Sequence, residues 1–233
     1  MQIDVCFTPD DYLASSASVV VVIDVLRATT SIATAFANGC RKLIPTATVE
    51  EAVVLKQDHF PDALLAGERK GLIIPGFQLG NSPFEYVRNI VDSKTIIMTT
   101  TNGTRALGLA RNAANVFTAA FVNAAAVCER LSDMGRDVVF LCAGTEGNFS
   151  IEDVLCAGLL VSRFGLSATL SDKALAARAM YEGAHSDLLK TVMTSSHGRY
   201  LRDIGFADDV VFCLQHDIFS VVPQYCDGII TIT

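Results

Sequence analysis

The sequence predicts a single three-layer α/β/α domain built on a mainly parallel or mixed sheet. Three observations carry this reading. Short β-branched, apolar runs recur along the chain; the best three lead through polar turns into helical stretches; and the chain length suits one large domain spanning 1–233. Strands alternating with helices give a sheet covered on both faces.

Taken in order, IDVCF (Ile3–Phe7) is a short first strand. SVVVVIDV (Ser18–Val25) is the strongest, β-branched and nearly all apolar, as a strand buried on both faces should be. It runs into the Ala-rich LRATTSIATAFANG, where Gly39 is a helix stop. KLIPT around Ile44, DALLAG and NVFTAA are further short strands, and EEAVVLKQDHF is a helix. KTIIMTTT is the second strong strand, followed by the turn and helix NGTRALGLARNA. DVVFLCAG is the third, followed by TEGNFS and the helix IEDVLCAGLLVSRF. NAAAVCERLSDM, SDKALAARAMYEG and SDLLKTVMTS are helices, and GIITIT a last short strand. Gly67–Tyr86, with four glycines and two prolines, has no periodicity; a loop of this length in a compact domain is usually functional.

Composition narrows the function. Hydrophobic residues make up 51% of the chain and mean hydropathy is +0.39. Yet no run approaches the roughly 18 apolar residues of a membrane span. The start, MQIDVCFTPDD, lacks the basic and apolar regions of a secretory signal, so a cytoplasmic location without membrane contact is expected. Seven widely spaced cysteines, with no Cys-x-x-Cys, argue against both a disulfide framework and a zinc cluster. A net charge of −7 disfavours nucleic acid as a partner, but leaves room for a small anion held by a few focused cations. The apolar composition is compatible with a homodimer.

In α/β sheets the ligand lies beyond the carboxyl ends of the strands. Those ends are Asp24, Thr99–Thr101 and Cys142–Gly144. Asp24, with Arg27 three residues on, is either a structural ion pair or a functional acid; position alone favours neither. Thr29, Thr30 and Ser31 suit helix caps or an anion at the helix N-terminus. Thr100, Thr101, Asn102, Gly103, Thr104 and Arg105 exceed what capping requires and suit an anion cradle, though the P-loop ending is missing. Glu68 and Arg69 would be a surface charge pair anywhere else; the Gly-rich loop, which also carries Ser82, raises their functional weight. Ser150 with Asp153 reads as a capping box, yet Glu152 and Asp153 also suit Mg²⁺, which takes one or two carboxylates plus water and substrate oxygens. His197 and Arg199, in the Ser/Gly-rich turn SSHGRYL, either close over an anion or lie exposed. No Gly-x-Ser-x-Gly, Cys-x₅-Arg, Asp-x-Asp or Gly-x-Gly-x-x-Gly pattern occupies the places those mechanisms need.

Five blocks, VVIDVLRATTSIATAFANG, LAGERKGLIIPGFQLGNSP, TTTNGTRAL, CAGTEGNFSIEDVLCAG and SSHGRYL, resemble the 2-phosphosulfolactate phosphatase (ComB-like) family over most of the chain. The resemblance implies Mg²⁺-dependent hydrolysis of (R)-2-phospho-3-sulfolactate to 3-sulfolactate and phosphate, a step toward coenzyme M in methanogens. Its substrate, a small phosphorylated acid, would meet Arg27, Arg69, Arg105 and Arg199. Some of Asp24, Glu68, Glu152 and Asp153 would hold the ion, and His197 would protonate the leaving alkoxide. Whether Asp24 acts instead as a nucleophile is left open by the residues. An isomerase or lyase on a similar acid, retaining its phosphate, would use the same cradle. A non-catalytic anion sensor would gain nothing from the four acids.

Overall fold

A computed structural model describes residues 1–12, 19–165 and 168–232. Its strands are β1 (Gln2–Cys6), β2 (Val19–Ile23), β3 (Lys42–Pro45), β4 (Leu64–Arg69), β5 (Leu72–Ile73), β6 (Thr95–Thr99), β7 (Val116–Ala119), β8 (Val138–Cys142), β9 (Thr169–Leu170), β10 (Pro223–Cys226) and β11 (Ile229–Ile232). The helices are α1 (Ala28–Ala37), α2 (Val49–His59), α3 (Arg88–Val91), α4 (Gly103–Ala110), α5 (Ala124–Met134), α6 (Ile151–Ser162), α7 (Asp172–Ala184), α8 (Leu188–Met193), α9 (Ser196–Asp203) and α10 (Ala207–Cys213). Ser18 and Thr233, expected at strand ends, lie outside the described residues.

All the expected strands and helices are present, within a few residues of their expected ends, in an α/β fold with a large mixed sheet. Among the described residues 11 strands run in the order β5-β4-β6-β3-β11-β10-β7-β2-β8-β1-β9. Two parallel blocks, β4-β6-β3 and β7-β2-β8-β1-β9, are joined through the hairpin β10–β11. The hairpin pairs antiparallel with β3 on one side and β7 on the other. Three antiparallel steps in succession leave the blocks oppositely directed. A twist of roughly 20–25° per neighbour turns β6 by about 100–125° relative to β2, which brings the carboxyl end of β6 round toward that of β2.

β2 is wholly buried, and its two faces serve different layers. Val19, Val21 and Ile23 pack with Phe117, Phe140, Val154 and Leu160. Val20 and Val22 join Ile32 and Phe36 of α1, Ala106 and Leu107 of α4, and Ile96 and Met98 of β6. α1 and α4 therefore share one core with strands of both blocks.

Three features depart from the sequence reading. SSHGRYL is not a turn but the start of α9, whose first N–H groups are capped by Ser195: its Oγ accepts from Gly198 N–H at 3.0 Å. The Gly67–Tyr86 loop contains the short strand β5, antiparallel to β4. β10, which opens on Pro223, supplies half of the joining hairpin; proline is tolerated at the first position of a strand.

Candidate active site

Asp24 leaves the end of β2 and is buried. Its backbone is locked by Thr29, whose Oγ1 accepts Asp24 N–H at 3.1 Å and donates to Asp24 O at 2.8 Å. Thr30 Oγ1 donates to Val25 O and Ser31 Oγ to Asn81 O, so these three hydroxyls shape the turn. Among the described residues the Asp24 carboxylate, by contrast, has only a long contact, 3.4 Å, from Ala28 N–H. Burial pushes its pKa up to about 6; His197 and the Ala28 amide pull down, Glu68 and Glu152 push up.

The other three acids divide. Glu68 accepts from Thr101 N–H at 2.9 Å on Oε1 and from Gly71 N–H at 2.8 Å on Oε2. Asp153 accepts from Val25 N–H at 2.8 Å and Gly144 N–H at 3.0 Å, tying the exit of β2 to that of β8 from behind the cavity. Its burial, with Asp24 and Glu152 nearby, holds its pKa well above the ordinary range, against the pull of those two amides. Glu152 differs. Its Oε1 meets His197 Nδ1 at 2.8 Å, while Oε2 is buried with no hydrogen-bond partner among the described residues. A buried carboxylate oxygen left unpaired is costly, and a cation beside it removes the cost.

That oxygen, together with the lightly bonded Asp24, fits a hard divalent ion. Mg²⁺ needs only one or two carboxylates when water and substrate oxygens complete its shell. Among the described residues no group of three or more His, Cys, Asp or Glu side chains is placed to hold a metal ion.

His197, in the first turn of α9, also lies 3.3 Å from Thr145 Oγ1, itself 2.7 Å from Ser150 Oγ. Burial would lower the imidazole pKa, but the hydrogen bond and charge of Glu152, with Asp24, raise it overall. With Nδ1 turned to Glu152, Nε2 is the nitrogen left for a reacting group.

At the β6 exit, Thr100 and Thr104 cap each other: Thr104 N–H donates to Thr100 Oγ1 at 3.2 Å, and Thr104 Oγ1 to Thr100 O at 2.9 Å. Asn102 Oδ1 accepts from Glu146 N–H at 2.9 Å. Gly103 shows how closely the two blocks approach. A Cβ there would stand 2.7 Å from Ala28 Cβ and 2.9 Å from Asp24 Oδ2.

Asp24, Glu68, Glu152 and His197 line one cavity of about 1050 Å³, with Arg27, Arg69, Thr100, Thr101 and Asn102. Gly103, Thr104 and Asp153 support it from outside the lining. Arg105 does not reach it: the side chain is 55% exposed and 3.8 Å from Asp10. Arg199 is exposed too, because two residues along a helix turn it about 200° from His197. Ser82 donates to Asp209 at 2.9 Å instead of facing the cavity. Arg69 bonds Glu68 O at 2.7 Å and Thr99 Oγ1 at 3.0 Å. Arg27, only 2% exposed, pairs with Asp209 at 2.5 Å. Sequence reasoning missed Asp209. In FADDVV it reads as one of two acids complementing a helix dipole, and only burial separates it from Asp208.

Ionisable and hydroxyl side chains converging from strand exits on one large cavity are the hallmark of an α/β enzyme. Comparison with known proteins makes the assignment specific. The 2-phosphosulpholactate phosphatase family matches residues 6–228. A protein from Clostridium acetobutylicum, named a probable 2-phosphosulfolactate phosphatase, is 39% identical over 98% of this chain and 99% of its own. One of the same name from Caldanaerobacter subterraneus subsp. tengcongensis is 42% identical over 91% of this chain and 89% of its own. The chain belongs to this family of phosphoric monoester hydrolases.

Proposed function

We propose that the protein hydrolyses (R)-2-phospho-3-sulfolactate to 3-sulfolactate and inorganic phosphate with Mg²⁺. Family membership supports the reaction. Glu152 lines the cavity with Asp24 and His197, and its buried Oε2, without a hydrogen-bond partner among the described residues, is the observation that supports the metal dependence. Asp24 and Glu152 would hold the ion, which when bound supplies a Lewis-acid contact to phosphoryl oxygens. Arg27 offers its remaining N–H groups to the same anion. Thr100, Thr101 and Asn102 orient the substrate from the β6 side. His197, charged through Glu152, gives the proton on Nε2 to the departing alkoxide. Among the described residues no helix is long and apolar enough to cross a membrane.

The test is phosphate release from phosphosulfolactate with Mg²⁺, after EDTA, and after Mg²⁺ is restored. Loss in EDTA with recovery is expected. Full activity in EDTA removes the metal from the reading, and no release with Mg²⁺ removes the substrate.

A further inference from the structure

Asp209 is a buried ionisable residue that none of the steps above uses. It stands in the first turn of α10, remote in sequence from every motif. One of its oxygens pairs with Arg27 Nη1 at 2.5 Å and the other accepts from Ser82 Oγ at 2.9 Å. Arg27 is gripped further: Nη2 donates to Gly71 O at 2.5 Å, and the guanidinium lies 4.1 Å from the centre of the Phe206 ring. A guanidinium has five N–H groups in a rigid fork, and these bonds take two of them. The others belong to a side chain that lines the cavity. A helix-dipole role would leave Asp209 exposed like its neighbour Asp208.

We propose that Asp209 is a positioning residue that aims Arg27 at the substrate's anionic group. Through Ser82, and through the bond of Arg27 to Gly71 O, it also holds the Gly-rich loop at the cavity wall. Fixing the fork from behind sets the direction of its free N–H groups, and pairing it with a carboxylate lets a buried cation persist before substrate arrives. The inference rests on the phosphatase reading for its substrate, but not for its binding test.

Asp209→Asn keeps the shape and removes the charge. Its KM for phosphosulfolactate should rise about tenfold, with a smaller change in kcat and an unaltered circular dichroism spectrum. Asp209→Glu should recover part of that loss. Inorganic phosphate, titrated calorimetrically, should bind Asp209→Asn about tenfold more weakly than wild type. Wild-type KM and phosphate affinity in Asp209→Asn would overturn the inference while leaving the phosphatase reading intact. A wild type that releases no phosphate would defeat that reading, and calorimetry would still decide Asp209; a wild type that binds no phosphate overturns the inference. If Asp209→Asn fails to fold, Ser82→Ala, which removes one of the two bonds that hold the Asp209 carboxylate, carries the test: wild-type KM and phosphate affinity in Ser82→Ala would overturn it.

Discussion

At the scale of single residues, Asp24 exposes the tension between stability and function. Burial raises its pKa from 3.8 to about 6, so the ionised carboxyl destabilises the metal-free fold. Below pH 3.8 both folded and unfolded chains are protonated and the cost is absent. Between 3.8 and about 6 the unfolded chain loses its proton first, so stability falls as pH rises; above that the cost is complete. His197 acts the other way: its raised pKa gives stability below 6.5 that is lost as pH climbs through the folded value. Asp24→Asn should therefore be more stable than wild type at pH 7.5 in EDTA and equal to it near pH 3.8, by urea unfolding. It should also lose about 100-fold or more of its turnover. Equal stability at pH 7.5 would show that the ionised carboxyl is not buried at cost. Glu152 raises the pKa of both Asp24 and His197. Glu152→Gln should consequently move the acid and alkaline limbs of the pH–rate profile both downward; limbs that stay in place would detach Glu152 from the pair. Asp24 was recognisable from the sequence by residue type and strand position, whereas Glu68 and His197 joined it only through the family resemblance of the loop and turn blocks that carry them. The division of labour among the four acids was not legible there, because it depends on which oxygens backbone amides from distant turns happen to fill.

At the scale of elements, α9 decides where His197 stands. SHGRYLRD holds weak helix formers at its start and reads as a turn. Its helicity comes from context: Ser195 caps it, and Leu201 anchors it at 1% exposure in the core. Gly198 fixes its approach to α8, since a Cβ there would fall 2.0 Å from Val192 O. Gly198→Ala should push α9 away and lower kcat about tenfold or more, although Gly198 touches no reacting group. Ser195→Ala should cost about 1 kcal/mol of stability as a lost cap. Wild-type kcat in Gly198→Ala would mean that α9 does not set the imidazole. The same geometry explains Arg199. A turn would have let it face the cavity with His197, and a helix does not.

At the scale of the whole molecule, the hairpin β10–β11 holds the two parallel blocks in one sheet. Ile230 is fully buried, opposite Leu43, in the core that also contains Val20 and Met98. Ile230→Ala should lower unfolding free energy by about 2–5 kcal/mol in urea while the folded enzyme keeps its KM. A loss below about 1 kcal/mol would deny the hairpin that bridging role.

The sequence by itself determined the fold class, the central strands and the strand-exit turns that line the cavity. Local periodicity and turn residues are written in short stretches of chain, and β2 in particular is legible because a strand buried on both faces has little choice of side chain. Only the tertiary structure decided that β6 meets β2 across oppositely directed blocks, that Asp209 stands behind Arg27, and that Arg105 and Arg199 face outward. Each of these depends on twist summed over several strands or on contacts between residues far apart in the chain. No local pattern encodes such sums, and they settle which polar groups at the strand exits reach the cavity.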